Sequence, residues 1–144
     1  AIKHNADVIV FEYLNFKGRR YGSNAMKLQM WAKRDIQEKI KHKARRCGIR
    51  YRRVNACNTS ILAFDGSGKV KRDKCNAKLC TFSTGKIYNT DLNASYNIGA
   101  RHFIKEIQKT TSEKKWSQVM AKVPELERRT QCTLSTLISL VGVM

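Results

Sequence analysis

Three observations predict an α/β fold for this chain of 144 residues. A continuous β-branched and aromatic run at residues 8–11 is typical of a buried strand. A long amphipathic helical pattern and a second strand follow it, and a further helical pattern begins at Asp91. In alternating folds of this kind, strand ends and helix beginnings converge on one edge. We therefore expect Glu12, at the end of the first strand, to meet Asp91 there.

The first three elements occupy residues 1–56, the first segment of the predicted domain organisation. The strand is predicted over residues 7–14, and its unbroken apolar run suits a strand covered on both faces. Residues 21–24 offer N-cap types for the helix, which should end at Cys47-Gly48. A second strand with a basic outer face is predicted at residues 49–54. The apolar positions of the helix are Met26, Met30, Ile36, Ile40, Ala44 and Cys47.

The remaining segments are an irregular insertion, a helical part and a tail. In the insertion, residues 57–90, the string Asp-Gly-Ser-Gly at 65–68 predicts a turn between short strands. Residues 91–124 should hold two helices, one from Asp91 and a shorter one over 113–122. The tail covers residues 125–144. The apolar stripe of the helix from Asp91 consists of Leu92, Tyr96, Gly99, Phe103 and Ile107.

The charge of the chain indicates a polyanionic partner. There are 29 Lys and Arg residues against 11 Asp and Glu, a net charge of +18. Residues 27–53 carry 11 of these cations against Asp35 and Glu38 alone. A solvated helix face would explain some of them, but so large a local excess repels itself and favours phosphate contacts. The predicted nucleic-acid-binding residues are Lys33, Arg34, Lys41, Lys43, Arg45, Arg46, Arg50, Arg52 and Arg53.

The number of cysteines and the lengths of the apolar runs indicate the cellular compartment of the protein. Five cysteines, an odd number without a signal peptide, argue against a secreted disulfide framework. No apolar run reaches the roughly 18 residues that span a bilayer. We therefore expect a soluble, intracellular protein without a membrane partner.

Two carboxylates are the candidates for chemistry. Two-metal hydrolysis of a phosphodiester needs carboxylates from separate elements to hold cations about 3.5–4 Å apart. Glu12 ends a buried strand, so it either binds metal, pairs with a cation or reaches solvent. Asp91, taken alone, would be an ordinary helix N-cap.

The surroundings of these carboxylates resemble a known family. Residues 91–98, Asp-Leu-Asn-Ala-Ser-Tyr-Asn-Ile, are similar to the third RuvC motif of the TnpB family, and residues 8–14 resemble its second motif. TnpB proteins are OrfB-type RNA-guided DNA endonucleases of insertion sequences, related to compact type V CRISPR effectors. The resemblance implies the C-terminal RuvC portion of such a protein, with a partial RuvC/RNase H-like layer. It implies that Glu12 and Asp91 are catalytic and bind Mg²⁺, that Asn97 supports them, and that DNA and a guide RNA are the partners. It also implies a cytoplasmic bacterial protein that is associated with the nucleoid.

The chain departs from the family pattern in its carboxylates. The Asp of the first RuvC motif should lie upstream of Ala1. Asp7 does not replace it, because five residues of strand separate it from Glu12 by about 16 Å. Asp65 and Asp73 are interpreted as turn formers. We therefore expect only part of the catalytic set in this chain.

The second departure concerns zinc. The family places one Cys pair after Thr-Ser and another before the third motif, forming a four-thiolate zinc ribbon. Here Ala63 and Gly66 stand at the first pair, and Thr81 and Thr84 at the second. The insertion is therefore expected to be a degenerate zinc-ribbon-like module without zinc. Cys57, Cys75 and Cys80 do not stand at the family's zinc-ligand positions. It stays open whether these three thiols bind a metal together with His102 or another ligand.

Two other functions remain open. One is a nuclease-dead or truncated relative that binds nucleic acid without cleaving it. The other is a small zinc-ribbon RNA-binding or ribosomal protein, which explains the charge but not the contexts of Glu12 and Asp91. Trp31 and Trp116 are interpreted as partly buried core residues. His4, His42 and His102 form no spaced cluster and receive no catalytic role.

Overall fold

A computed structural model describes residues 1–13 and 24–144, with the backbone alone at residue 2 and residues 24–31. The chain divides into two units, Ala1–Val54 and Asn55–Met144. Both strands and helices are present, which confirms the α/β class. Three short 3-10 helices span Ile2–His4, Pro124–Leu126 and Arg129–Gln131. In the part of the chain that is described, no helix combines the length and the apolar character needed to cross a membrane.

The first unit is built from β1 (Val8–Tyr13), α1 (Asn24–Arg46) and β2 (Arg50–Asn55), as predicted. The two strands form a two-stranded sheet. The Arg50 amide donates to the Asp7 carbonyl at 3.0 Å, so the beginnings of the strands lie side by side. The strands therefore run parallel, with α1 as the crossover that a parallel pair requires.

The sheet of the first unit has two different faces. On one face the Phe11 and Tyr51 rings lie 5.6 Å apart, and Ile9 lines a cavity together with Ile40 and Ala44 of α1. This face packs against the helix. Because side chains alternate along a strand, the opposite face carries Val8, Val10 and Glu12 from β1, and Arg50, Arg52 and Val54 from β2. Residues 8–12 are all half-buried, so both faces of β1 are covered in part rather than fully.

Helix α1 ends in a Schellman motif. Gly48 adopts φ +70°, its amide donates to the Arg45 carbonyl at 3.1 Å, and the Ile49 amide donates to the Ala44 carbonyl at 2.9 Å. The predicted end at Cys47-Gly48 is confirmed. Ala44 is buried, but Ile36 is 54% exposed. Ile36 lies eight residues before Ala44, which places its side chain about 80° away from that of Ala44 around the helix axis.

Some predictions for α1 concern residues whose positions or side chains are not described. The N-cap types at residues 21–23 lie outside the described residues, as do the side chains of Met26, Met30 and Trp31. Cys47, the last position of the predicted apolar stripe, is exposed. The buried part of the described stripe is thus limited to Ala44 and the half-buried Ile40.

The insertion forms a small antiparallel sheet at the start of the second unit. It consists of β3 (Lys71–Arg72), β4 (Leu79–Thr81) and β5 (Ile87–Asn89), with Cys80 opposite both Arg72 and Tyr88. The predicted turn at residues 65–68 is confirmed, since the Ala63 amide donates to the Gly68 carbonyl at 2.8 Å. An isolated bridge between Leu62 and Lys69 flanks it in place of the short strands that were expected.

Three helices complete the second unit: α2 (Thr90–Thr110), α3 (Glu113–Lys122) and α4 (Leu134–Val143). The two predicted helices are confirmed, and α4 forms in the apolar stretch of the tail. Trp116, Val119, Leu126 and Leu140 are buried in a common core, which confirms the interpretation of Trp116. A second core, built from Ala63, Cys80 and Phe82, lies within the insertion.

Candidate catalytic and nucleic-acid-binding residues

Glu12 is the fifth of six residues in β1 and is half-buried. Its side chain lies on the sheet face opposite α1, whereas its main-chain carbonyl accepts a 3.4 Å hydrogen bond from Nε2 of Gln37 on that helix. No hydrogen bond or ion pair reaches the Glu12 carboxylate from any described residue. The carboxylate is therefore available to a ligand from outside the described part of the chain.

Asp91 lies in the first turn of α2 and is exposed. The helix is capped by Asn89, whose Oδ1 accepts from the amides of Asp91 at 2.9 Å and Leu92 at 3.0 Å. The N-cap interpretation of Asp91 is therefore wrong. Its negative charge is favoured at this end of the helix dipole, and no described residue pairs with its carboxylate.

Glu12 belongs to the first unit and Asp91 to the second. Carboxylate oxygens from separate elements suit Mg²⁺, which prefers hard oxygen ligands and retains several waters. Both carboxylates lack a described protein partner, so both fit that role. Over residues 1–13 and 24–144, the structure shows no group of three or more His, Cys, Asp or Glu residues arranged to hold a metal.

The predicted nucleic-acid-binding residues fall into two groups, those that lie against the Glu38 carboxylate and those that form no ion pair with a described residue. Lys41 Nζ lies 2.8 Å from Glu38, and a guanidinium nitrogen of Arg53 lies 3.9 Å from the same carboxylate. The hydrogen bond from Lys41 lowers the pKa of Glu38. Within the described part of the chain, the other predicted contacts form no ion pair and are exposed: Lys33, Arg34, Lys43, Arg45, Arg46, Arg50 and Arg52.

The predicted zinc-ribbon positions lie on two turns that touch. Gly66 lies in the first turn and Ala63 just before it; Thr84 lies in the second turn, which follows Thr81 at the end of β4. The Ser83 hydroxyl, on the second turn, donates to the main-chain carbonyl of Ser67, on the first. Aromatic packing fills this region, with the Phe64 ring 5.3 Å from Phe82 and 5.1 Å from both Tyr88 and Tyr96.

The out-of-register cysteines are free thiols. Cys57 and Cys75 are exposed, and Cys80 is buried in the core of the insertion. The Cys80 thiol donates weakly to the Tyr88 carbonyl at 3.5 Å. Cys80 thus packs as a small apolar residue, and the absence of zinc stays a prediction.

Three polar residues on the inner face of α2 were not recognised as a set in the sequence. Asn93, Asn97 and Arg101 follow one another at four-residue intervals, so they form one stripe along the helix. All three are buried, and the two asparagines are fully so, whereas Leu92 and Phe103 of the predicted apolar stripe are each 52% exposed. We call Asn93, Asn97 and Arg101 the polar stripe of α2.

The asparagines of the polar stripe fix the loop that precedes the first turn. Asn93 accepts from the Phe64 amide at 2.9 Å and donates to the Leu62 carbonyl at 2.8 Å. Asn97 donates to the carbonyls of Thr59 at 3.0 Å and Leu62 at 2.8 Å. Its Oδ1 accepts from the Leu134 amide at 3.3 Å, which also ties down the beginning of α4. The predicted supporting residue Asn97 therefore organises main chain in two segments.

Arg101 joins two further stretches of main chain. Its guanidinium donates to the carbonyls of Asn55 at 2.9 Å, Cys57 at 2.6 Å, Thr130 at 2.6 Å and Cys132 at 3.1 Å. Burial lowers the pKa of Arg101, but these four acceptors satisfy the charged group. The spacing of Asn93, Asn97 and Arg101 is the signal that could have revealed the stripe.

Comparison with known proteins gives one match. Residues 34–98, a little under half of the chain, match the family model described as Cas12f1-like, TNB domain. The matched region runs from the middle of α1 through β2 and the insertion into the first half of α2. No curated protein and no solved structure matches the chain. The matched region includes residues 91–98 but not residues 8–14, and it supports a TnpB/Cas12f-like relationship for the chain.

Proposed function

We propose that the chain is the C-terminal nuclease portion of a transposon-encoded RNA-guided DNA endonuclease, and that Glu12 and Asp91 are its catalytic carboxylates. The observation that carries the proposal is that both carboxylates occupy RuvC motif positions while neither is paired by a described residue. The family match supports the same function.

The two carboxylates would hold Mg²⁺ by their oxygens. When bound, Mg²⁺ supplies an activated water and stabilises the leaving oxygen of the phosphodiester. Glu12 is presented by the end of β1, and Asp91 by the first turn of α2. Asn97 supports this arrangement because it fixes α2, the helix that positions Asp91, to two other segments.

The exposed cations of the first unit would bind the backbones of the DNA and the guide RNA. Lys33, Arg34, Lys43, Arg45 and Arg46 lie on α1, and Arg50 and Arg52 on β2. Each phosphate contact releases counterions, so log K should fall against log salt by about 0.9 per contact. Replacing one of these cations by Ala should reduce the salt slope by about 1.

A second candidate is a nucleic-acid-binding relative without cleavage activity. The sequence observation that favours it is that residues 1–144 do not include the Asp of the first RuvC motif. This protein would retain the basic contacts and lose the chemistry. The two candidates differ in whether DNA is cut in the presence of Mg²⁺.

The deciding experiment measures Mg²⁺-dependent DNA cleavage and DNA binding by the complete protein with its guide RNA. Glu12→Ala and Asp91→Ala should each abolish cleavage while binding largely survives. Glu113→Ala is the matched control, because Glu113 is also an exposed carboxylate in the first turn of a helix, and it should leave cleavage unchanged. Binding of Mn²⁺ in place of Mg²⁺, followed by electron paramagnetic resonance, should weaken in both active-site variants. Tight binding without any cleavage by the unaltered protein would favour the second candidate.

A further inference from the structure

We propose that Arg52 binds the scissile phosphate beside Glu12, whereas Arg53, the next residue, does not reach it. This inference rests on the proposed nuclease function and adds to it a residue that touches the substrate. The basic residues of β2 look alike in sequence, as Arg-Tyr-Arg-Arg at residues 50–53. The parallel sheet of the first unit separates them into two sets.

The sheet places Arg52 and Glu12 on the same face of neighbouring strands, with Arg52 opposite Val10 and therefore two residues, about 6.6 Å along the strand, from the level of Glu12. The hydrogen bond from the Arg50 amide to the Asp7 carbonyl aligns the beginnings of the two parallel strands. Arg50 and Arg52 then alternate with Tyr51 and Arg53. Tyr51 faces α1, since its ring packs on Phe11, so Arg52 points to the opposite face, which carries Glu12.

Arg53 is occupied on the helix side of the sheet. Its guanidinium lies 5.8 Å from the centre of the Tyr13 ring and 5.7 Å from that of Tyr51, and 3.9 Å from Glu38. These two cation–π contacts and one ion pair hold the side chain against α1. Its charge is therefore directed away from Glu12.

Arg52 has no such partners in the described residues. Its Nη1 donates to the Tyr51 carbonyl at 3.3 Å on the exposed surface, and no described carboxylate approaches it. Most donors of its planar guanidinium fork therefore remain available for a bidentate phosphate contact. Arg50 lies on the same face but two residues before Arg52, so it is about 6.6 Å further from Glu12 along the strand direction.

The chemistry explains why a cation is needed at this place. A phosphodiester that approaches the Glu12 carboxylate meets a like charge, which a bound Mg²⁺ and a neighbouring cation would both offset. Charge also develops on the phosphate oxygens during hydrolysis, where a fixed donor is most effective. Arg52 supplies such a donor from a strand rather than from a mobile loop.

The first test measures binding, with cleavage silenced. In the complete protein carrying Glu12→Gln, and without Mg²⁺, affinity is compared for DNA with an ordinary scissile phosphate and DNA with a neutral methylphosphonate at that position. The neutral substitution should weaken binding about tenfold when Arg52 is present, as expected for one charged hydrogen bond. It should cause no further loss in Arg52→Ala. Arg53→Ala should retain the full tenfold effect, and so should the control Arg128→Ala, an exposed arginine outside the binding set.

The second test measures single-turnover cleavage at saturating DNA in the presence of Mg²⁺. Arg52→Ala should lower the rate about 10²–10³-fold, and Arg52→Lys should restore part of it. If Glu12→Ala abolishes cleavage but Arg52→Ala keeps the methylphosphonate effect, the assignment of Arg52 is wrong while the nuclease function stands. If Glu12→Ala cleaves normally, the nuclease function and the role of Arg52 both fall.

Discussion

Replacing Asn97 by Ala tests whether the polar stripe of α2 holds the second unit together. Asn97 is fully buried, and its loss would leave the Thr59 carbonyl and the Leu134 amide without their partner. The Leu62 carbonyl would keep its hydrogen bond from Asn93. Two orphaned groups at about 1–3 kcal/mol each give an expected loss of about 2–6 kcal/mol. For a unit of this size, that corresponds to a fall in Tm on the order of 10–50 °C.

The assay is urea denaturation followed by the fluorescence of Trp116, which is buried in the core of the same unit. A Trp31→Phe background makes Trp116 the sole tryptophan. Ser95→Ala is the control, because Ser95 is exposed and bonds only its own helix, and it should change stability by less than about 0.5 kcal/mol. Asn97→Asp keeps the size but turns an oxygen towards two carbonyls, so it should destabilise as well. A loss below about 0.5 kcal/mol for Asn97→Ala would refute the role given to the stripe.

Two further predictions concern the insertion. Gly66→Ala should destabilise more than Gly85→Ala in the same denaturation assay: both glycines have positive φ, which costs about 1–2 kcal/mol, but only at Gly66 would the new Cβ lie 2.6 Å from the Ser135 hydroxyl. Equal losses of stability in the two variants would show that Ser135 on α4 moves away from the new Cβ at no cost in free energy. Tyr96→Phe should bring the pKa of Tyr88 down towards the ordinary value of about 10, because the hydrogen bond with Tyr96 is the main cause of its rise. In the unaltered protein this contact stabilises the fold below a pH of about 10. The stabilisation is lost as the pH rises through the pKa that Tyr88 has in the folded state. The ultraviolet absorbance of tyrosinate measures it, and an unchanged pKa in Tyr96→Phe would contradict the assignment.

Element positions could be read from the sequence where local chemistry decides them. The Schellman end of α1 follows from Gly48, whose φ of +70° other residues rarely adopt. The boundary of α2 was harder, because Asn89 and Asp91 are both cap types. The extended backbone of Asn89 selects it as the cap and leaves Asp91 with an unbonded carboxylate. The sequence thus placed Asp91 at the beginning of α2 but did not decide between a cap and an unbonded carboxylate.

The inward face of α2 could not be predicted from hydropathy. Hydropathy ranks side chains by their transfer from water, so it favours Leu92 and Phe103 as the buried positions. The buried face is polar because the loop main chain beside it needs hydrogen-bond partners. That requirement belongs to the packed loop and is not visible in the helix sequence, apart from the four-residue spacing of Asn93, Asn97 and Arg101.

The polar stripe of α2 has a practical consequence for labelling the protein. Asn97 and Arg101 donate hydrogen bonds to main-chain carbonyl oxygens in residues 55–62. Every amino acid has such a carbonyl. Side chains in that stretch can therefore be exchanged without removing an acceptor. Cys57 is exposed, and Arg101 bonds only its carbonyl. A fluorophore or spin label on its thiol would thus report from a loop whose path is set by the neighbouring helix and not by the residue that carries the label.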